Sequence, residues 1–190
     1  VQELRKLTSA GMMACKKALT ETNGDFDAAA KLLREKGEAK RSDRSDRETS
    51  EGIVAAFVSS CAKTGVLAEF NCETDFVAKN EAFQQYVGEL IEAIANSDAA
   101  DVASALQVSF GEGTIENSLG AKFTELGEVI KISRLTRFAV DAGAAASYIH
   151  MGGKVGVLIE VATEKAETTA NATFQELVKD ITLHVAAANP

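Results

Sequence analysis

The chain has 190 residues, 46% apolar and 25% charged, a composition that excludes disorder as a description of the whole. Its length allows one domain, or a small one beside a medium one, and no run of about 18 uncharged apolar residues offers a membrane-spanning helix. The formal charge of −8 comes from 20 Lys and Arg against 28 Asp and Glu, and an acidic majority argues against direct nucleic-acid binding, which relies on neutralising phosphates.

Residues 1–40 read as three short helices. Val1, Leu4 and Leu7 recur at i, i+3 and i+6 along one helical face. Thr8-Ser9-Ala10-Gly11 interrupts with turn-prone residues, and helical spacing resumes from Met12 to Leu19. Asn23-Gly24-Asp25 is a break, because Asn and Gly both tolerate positive φ. Phe26, Ala29, Ala30, Leu32 and Leu33 give a third helix, which Gly37 is placed to end. A unit of this size buries a modest core and suits a small binding module.

Residues 38–50, EAKRSDRSDRETS, carry both signs of charge and lack Gly and Pro. They extend the third helix or form a solvated linker, and the mixed signs favour the linker. As a nucleic-acid patch the run is weak, since Lys40, Arg41, Arg44 and Arg47 are interleaved with Asp43 and Asp46. It also divides the charge: residues 1–50 hold 11 basic and 9 acidic side chains, residues 51–190 hold 9 and 19.

From Gly52 the pattern turns to strands. Residues 53–58 and 66–70 flank Ala62-Lys63-Thr64-Gly65 as in a β-hairpin. A long helix is predicted over about 80–95, with Asn80 as N-cap and Phe83, Val87, Leu90, Ile91 and Ile94 on one face. A second helix is expected around 114–126 and a strand over 129–135. Tyr148-Ile149-His150 and residues 155–161 form another hairpin around Gly152-Gly153, and a closing helix spans about 174–188. Hairpins mixed with helices predict an antiparallel α+β domain.

The segment that stands out is Asn71-Cys72-Glu73-Thr74-Asp75-Phe76-Val77-Ala78-Lys79-Asn80, between a strand and the long helix. Thr74 or Asp75 can cap a first helical turn. Phe76 and Val77 are adjacent, so on a helix they point about 100° apart and do not share one buried face. Either one is exposed as an anchor beside a carboxylate, or Phe76 packs into the core and Asp75 only caps. Glu73 and Asp75 could suggest acid–base or metal chemistry, but a helix N-terminus already explains carboxylates there.

Cys15, Cys61 and Cys72 form no CxxC and no Cys/His quartet, which fits a reducing cytosol and not a disulfide framework or structural zinc. Trp is absent and aromatics are 6%, so stacking platforms for single strands are few. His150 and His184 are the only histidines, and nothing in their spacing to the cysteines supports a nucleophilic pair. Neither GxxxxGK[ST] nor GxGxxG occurs, so no nucleotide pocket or other cofactor site is expected.

The run NCETDFVAKN at 71–80 closely resembles the signature of the elongation factor Ts family. So do residues 4–19, LRKLTSAGMMACKKAL, apart from two small departures at Ser9 and Ala14. Tyr148-Ile149-His150, the run Gly152–Leu158 and the closing Leu183-His184-Val185-Ala186-Ala187 are similar as well.

That resemblance implies a guanine-nucleotide exchange factor for elongation factor Tu, not an enzyme. It implies a three-helix ubiquitin-associated-like domain at 1–38, a charged linker at 39–51 and an α+β core domain at 52–190. Arg5, Met12 and Met13 would meet the nucleotide-binding domain of the GTPase; the alternative is that one of the two methionines belongs to the three-helix core instead. Thr74, Asp75, Phe76 and Val77 would form the intruding segment, the aromatic ring wedging near the magnesium and phosphate site. His150 would meet the GTPase's other domains. No direct nucleic acid or membrane is implied, and the setting would be bacterial cytoplasm or organellar matrix or stroma. Pro190 marks where longer relatives carry on, so either a longer chain or a short form that completes its sheet as a homodimer is expected. An interaction module of another kind, a ubiquitin-associated-like domain tethered to an α+β domain, is the rival reading.

Overall fold

The structure is a computed structural model. It describes residues 1–8, 10–43 and 47–189, with 38–43 and 166 described by their backbone alone. Ser9, residues 44–46 of the charged run and Pro190 lie outside the described residues, as do the side chains of Lys40 and Arg41.

Three helices open the chain: α1 (Gln2–Thr8), α2 (Met12–Glu21) and α3 (Phe26–Asp43). They close a small core of their own around Leu4, Cys15, Ala18, Ala29 and Leu33. Positions 1, 4 and 7 fan over about 120° of a helix, and a two-turn helix can bury only the middle of that arc. Leu4 is therefore buried, while Val1 and Leu7 stay exposed.

Beyond the charged run come β1 (Glu51–Val58), β2 (Thr64–Cys72), the one-turn α4 (Asp75–Ala78), α5 (Glu81–Ala95) and α6 (Val102–Leu106). The two-residue strands β3 (Ser109–Phe110) and β4 (Gly113–Thr114) lead into α7 (Ile115–Leu126). Then follow β5 (Lys131–Ala139), β6 (Gly143–His150), β7 (Val155–Ala162), a 3-10 turn at Ala166–Ala170 and α8 (Ala172–Ala188). The main sheet is antiparallel in the order β1-β2-β5, and β6 and β7 form a separate two-stranded ribbon. The antiparallel α+β class predicted from the pattern is the one observed.

Strand periodicity decides the layers. Val66, Ala68, Phe70 and Cys72 alternate toward one face of β2 and are buried against Phe83, Val87, Leu90 and Ile94 of α5. Asn80 caps α5 as expected, its Oδ1 accepting from Ala82 N at 2.8 Å and Phe83 N at 3.2 Å. The other face of the sheet receives the ribbon. The fit is tight: a Cβ on Gly156 would lie 2.5 Å from Val54 Cγ1 and 3.0 Å from Leu67 Cδ1. α8 packs on β6 and β7 through buried Val178 and Thr182. The expected strand at 129–135 starts later and runs further, because Val129 and Ile130 are spent as buried plugs before Lys131 begins the ladder.

Gly37 does not end α3, contrary to the reading from the sequence. The helix passes through it into the charged run as far as Asp43. The residue serves proximity instead: a Cβ there would sit 2.7 Å from Thr124 Oγ1, so its absence lets α3 cross close over α7. Beside this crossing, a groove of about 720 Å³ opens between the first helices and the β3–β4 turn, lined by Leu7, Arg34, Phe110 and Asn117 among others.

Candidate functional site: a braced aromatic turn

β2 ends at Cys72, and the chain turns through Glu73 and Thr74 into α4. Thr74 is the N-cap, in extended conformation, with Oγ1 accepting from Val77 N at 3.5 Å. Asp75 does not cap. Its Oδ2 accepts from Lys79 Nζ at 2.7 Å, one helical turn on. That hydrogen bond holds the Asp75 carboxyl below the usual carboxylate range and raises the Lys79 ammonium. Phe76 and Val77 diverge as their spacing requires. Val77 packs against the sheet core, whereas Phe76 is 83% exposed. Ala78 fills the inner side of the turn, so the alternative of a buried Phe76 is overturned.

Four residues cannot hold a helix by themselves, because nucleation fixes several dihedrals for one hydrogen bond. The turn is braced from elsewhere. Glu128 accepts twice from Thr74: Oε1 from Oγ1 at 2.6 Å, and Oε2 from the backbone N–H at 3.1 Å. Glu73 answers in the opposite direction, its Oε1 accepting from Val129 N at 2.9 Å and its Oε2 from Arg47 Nη1 at 2.7 Å. The reading of Glu73 as a helix-N-terminus charge is thereby corrected. Gly127, at φ +77°, is the left-handed C-cap of α7 and turns the chain so that Glu128 reaches the turn. Sequence reasoning missed Glu128, which lies 54 residues from Thr74. Its only local signal was its position just past a helix-ending glycine.

Cys72 sits beneath the turn, its Sγ donating to Thr74 O at 3.2 Å. Burial, and then the negative charge of Glu128, push its thiol up to about 11. It is a buried packing thiol, as expected.

His150 is exposed at the end of β6, its ring stacked on Tyr148 with centroids 5.7 Å apart and Nδ1 2.9 Å from the Tyr148 hydroxyl. The following tip docks onto β1. Gly153 O accepts from Val54 N at 2.7 Å, and the residue has φ +93° with Ile53 Cβ only 2.8 Å from where a Cβ would be. Both facts require glycine. Lys154 Nζ donates to Glu51 Oε2 at 3.0 Å, and Glu51 pairs with Cys72 across the β1–β2 ladder. The charge of Lys154 helps lower the Asp75 carboxyl, and that of Glu51 helps raise Lys79. The structure thus gathers α4 and the hairpin tip at one end of the sheet. Met151, 71% exposed on that tip, is an apolar surface residue the sequence reading passed over.

Met12 and Met13 open α2 and are 52% and 75% exposed, and Arg5 is exposed on α1. The alternative that one methionine belongs to the three-helix core fails, because Ala10, Cys15 and Ala18 fill that inner face. α2 packs on α1 and α3 while α4 packs on β1 and β2, so these residues and the aromatic turn belong to different packed units.

His184 is exposed on α8 and Cys61 on the β1–β2 turn. Among the described residues no group of three or more His, Cys, Asp and Glu has the geometry to hold a metal ion, and no helix is long and apolar enough to cross a membrane.

Comparison with known proteins gives the same direction. The family model described as Elongation factor TS matches residues 73–190. Elongation factor Ts of Clostridium perfringens (strain 13 / Type A) is 44% identical over 191 residues, covering 100% of this chain and 62% of that protein. Elongation factor Ts of Trichlorobacter lovleyi is 41% identical over 193 residues, with the same two coverages. Elongation factor Ts of Clostridium novyi (strain NT) is 42% identical over 193 residues, again covering 100% and 62%. The chain therefore spans about 62% of the length of these curated relatives. With a family match over well more than half of its residues, the chain belongs to the elongation factor Ts family.

Proposed function

We propose that the chain is a translation elongation factor that acts as a guanine-nucleotide exchange factor, binding elongation factor Tu and promoting GDP release without covalent chemistry of its own. The observation that carries this reading is Phe76: a rigid aromatic left 83% in water on a turn whose other side is anchored in the core. Aromatic side chains held rigidly at a surface are the residue class that dominates protein interfaces.

The mechanism is linkage. A protein that binds the nucleotide-free GTPase better than the GDP-bound one must weaken GDP by the same factor. A coupling of about 4 kcal/mol raises the dissociation constant about a thousandfold. In this reading Phe76 wedges near the magnesium and phosphate site, and Thr74 and Val77 fix its direction. Asp75, already paired with Lys79, offers a second oxygen to the partner. Met12 and Met13, flexible and exposed, conform to a groove on the nucleotide-binding domain with Arg5 beside them. His150 meets the other domains of the GTPase. The division of labour follows 1–38 as gripping module, 39–51 as connector, whose first residues continue α3 to Asp43, and 52–190 as core. The relatives named above are bacterial, so bacterial cytoplasm is the proposed setting.

The test is direct. Elongation factor Tu loaded with a fluorescent GDP is mixed with excess unlabelled GDP and catalytic amounts of this chain. Accelerated release supports the proposal. Unchanged release at stoichiometric chain removes it.

A further inference from the structure

The one-turn α4 cannot choose its own orientation, yet Phe76 must point in one direction to be a wedge. We infer that Glu128 is the positioning residue for Phe76, a clamp that fixes the intruding turn through Thr74; this rests on the exchange-factor reading for its consequence but not for its geometry.

The carboxylate of Glu128 takes both donors of Thr74, backbone and side chain, at 3.1 and 2.6 Å. The 2.6 Å bond from the hydroxyl lies in the range of charge-assisted hydrogen bonds, which are about twice as strong as neutral ones. By accepting the hydroxyl's hydrogen bond it also orients the Thr74 oxygen whose lone pair caps Val77 N. Glu73, next to Thr74, closes the brace by accepting from Val129 N, so each of two adjacent pairs of residues grips the other. The only covalent route between them runs through 54 residues, so the clamp is purely tertiary. Glu128 in turn follows the α7 C-cap directly, and α7 carries Thr124, over which Gly37 brings α3. The last turn of α7 is thus a strut between the three-helix module and the aromatic turn.

Two measurements on the full chain test the inference. In amide hydrogen exchange of the free protein, Glu128→Ala should open the hydrogen-bonded amides of residues 77–79 about ten- to a hundredfold faster while the α5 amides keep their protection. Glu128→Gln, which keeps one acceptor for Thr74, should recover a substantial part of that loss. In fluorescent-GDP release from elongation factor Tu, Glu128→Ala should lower the catalysed rate about tenfold in wild-type background. Added to Phe76→Ala it should change little, because a positioning residue acts only through the group it positions. Unchanged α4 protection overturns the clamp. Faster opening with an unaltered release rate, or losses that simply add to those of Phe76→Ala, overturns the positioning role. If the wild-type chain itself releases no GDP, the functional reading fails, and the amide measurement still decides the clamp.

Discussion

Replacing Phe76 by Ala should separate partner binding from folding. A phenylalanine buries roughly 150–250 Å² when fully covered. Here 83% of the residue is open to water, so a partner has roughly 150 Å² left to cover. At about 25 cal/mol per Å² this is worth about 4 kcal/mol as an upper bound, before desolvation of neighbouring groups is subtracted. Interface anchors truncated to alanine lose about 2–4 kcal/mol, which corresponds to about thirty- to a thousandfold in affinity. Stability of the free chain should move by no more than about 0.5 kcal/mol, since the removed atoms leave no cavity. Val77→Ala is the counter-experiment. Its side chain packs on the sheet core, so it should lower stability by about 1 kcal/mol. Urea unfolding reads the stability, and fluorescent-GDP release from elongation factor Tu reads the loss at the interface. A Phe76→Ala chain that unfolds more than about 1 kcal/mol more easily would refute the exposed-anchor geometry. One that releases GDP at the wild-type rate would refute the wedge.

At Gly37, a leucine gains about 0.8 kcal/mol of helix propensity but drives its Cβ into Thr124 Oγ1. Overpacking of about 1–3 kcal/mol should win, so amide protection in α7 around Thr124 should fall; unchanged protection would show that α3 and α7 do not depend on that contact. The Cys61 thiol is lowered, chiefly by the Ser59 hydroxyl, and lies exposed, while Cys72 is buried and pushed up to about 11. Iodoacetamide at pH 7.5 (roughly neutral, below the usual thiol range) should therefore label Cys61 first by mass spectrometry, with Cys72 reacting only on unfolding. The Asp75 carboxyl is depressed by Lys79, so whatever the pair contributes is present above the ordinary aspartate value and is lost as pH falls through the lowered one. A carboxyl-carbon NMR titration should place its midpoint below that of an unpaired aspartate, and Lys79→Met should return it upward.

Much of the fold was legible because the signals are local. The alternation through β2, the apolar face and Asn80 cap of α5, and the turn glycines before β7 each follow from a few neighbouring residues. The divergence of Phe76 and Val77 was legible for the same reason, since helical geometry alone separates adjacent side chains by about 100°. Which of the two faces water was not. That depends on where the sheet lies relative to the turn, and the sheet is assembled from strands far apart in sequence.

The misreadings share that cause. Gly37 has the local character of a helix end, but close passage over α7 uses its missing side chain and lets the helix continue. Glu73 resembles a charge placed at a helix start until Val129 and Arg47 come within reach of it. Met12 and Met13 are equally apolar on paper, and only the packing of small residues along α2 leaves both outside.

The sequence by itself determined that −8 is spread over a near-balanced amino-terminal unit and an acidic remainder, that both are α-helical or α+β, and that an aromatic sits beside a carboxylate at a strand-to-helix turn. Only the tertiary structure decided that the ring is held outward. Its direction is set by the two hydrogen bonds that Thr74 donates to Glu128 across 54 residues, and no periodicity within a single segment encodes a contact made between two of them.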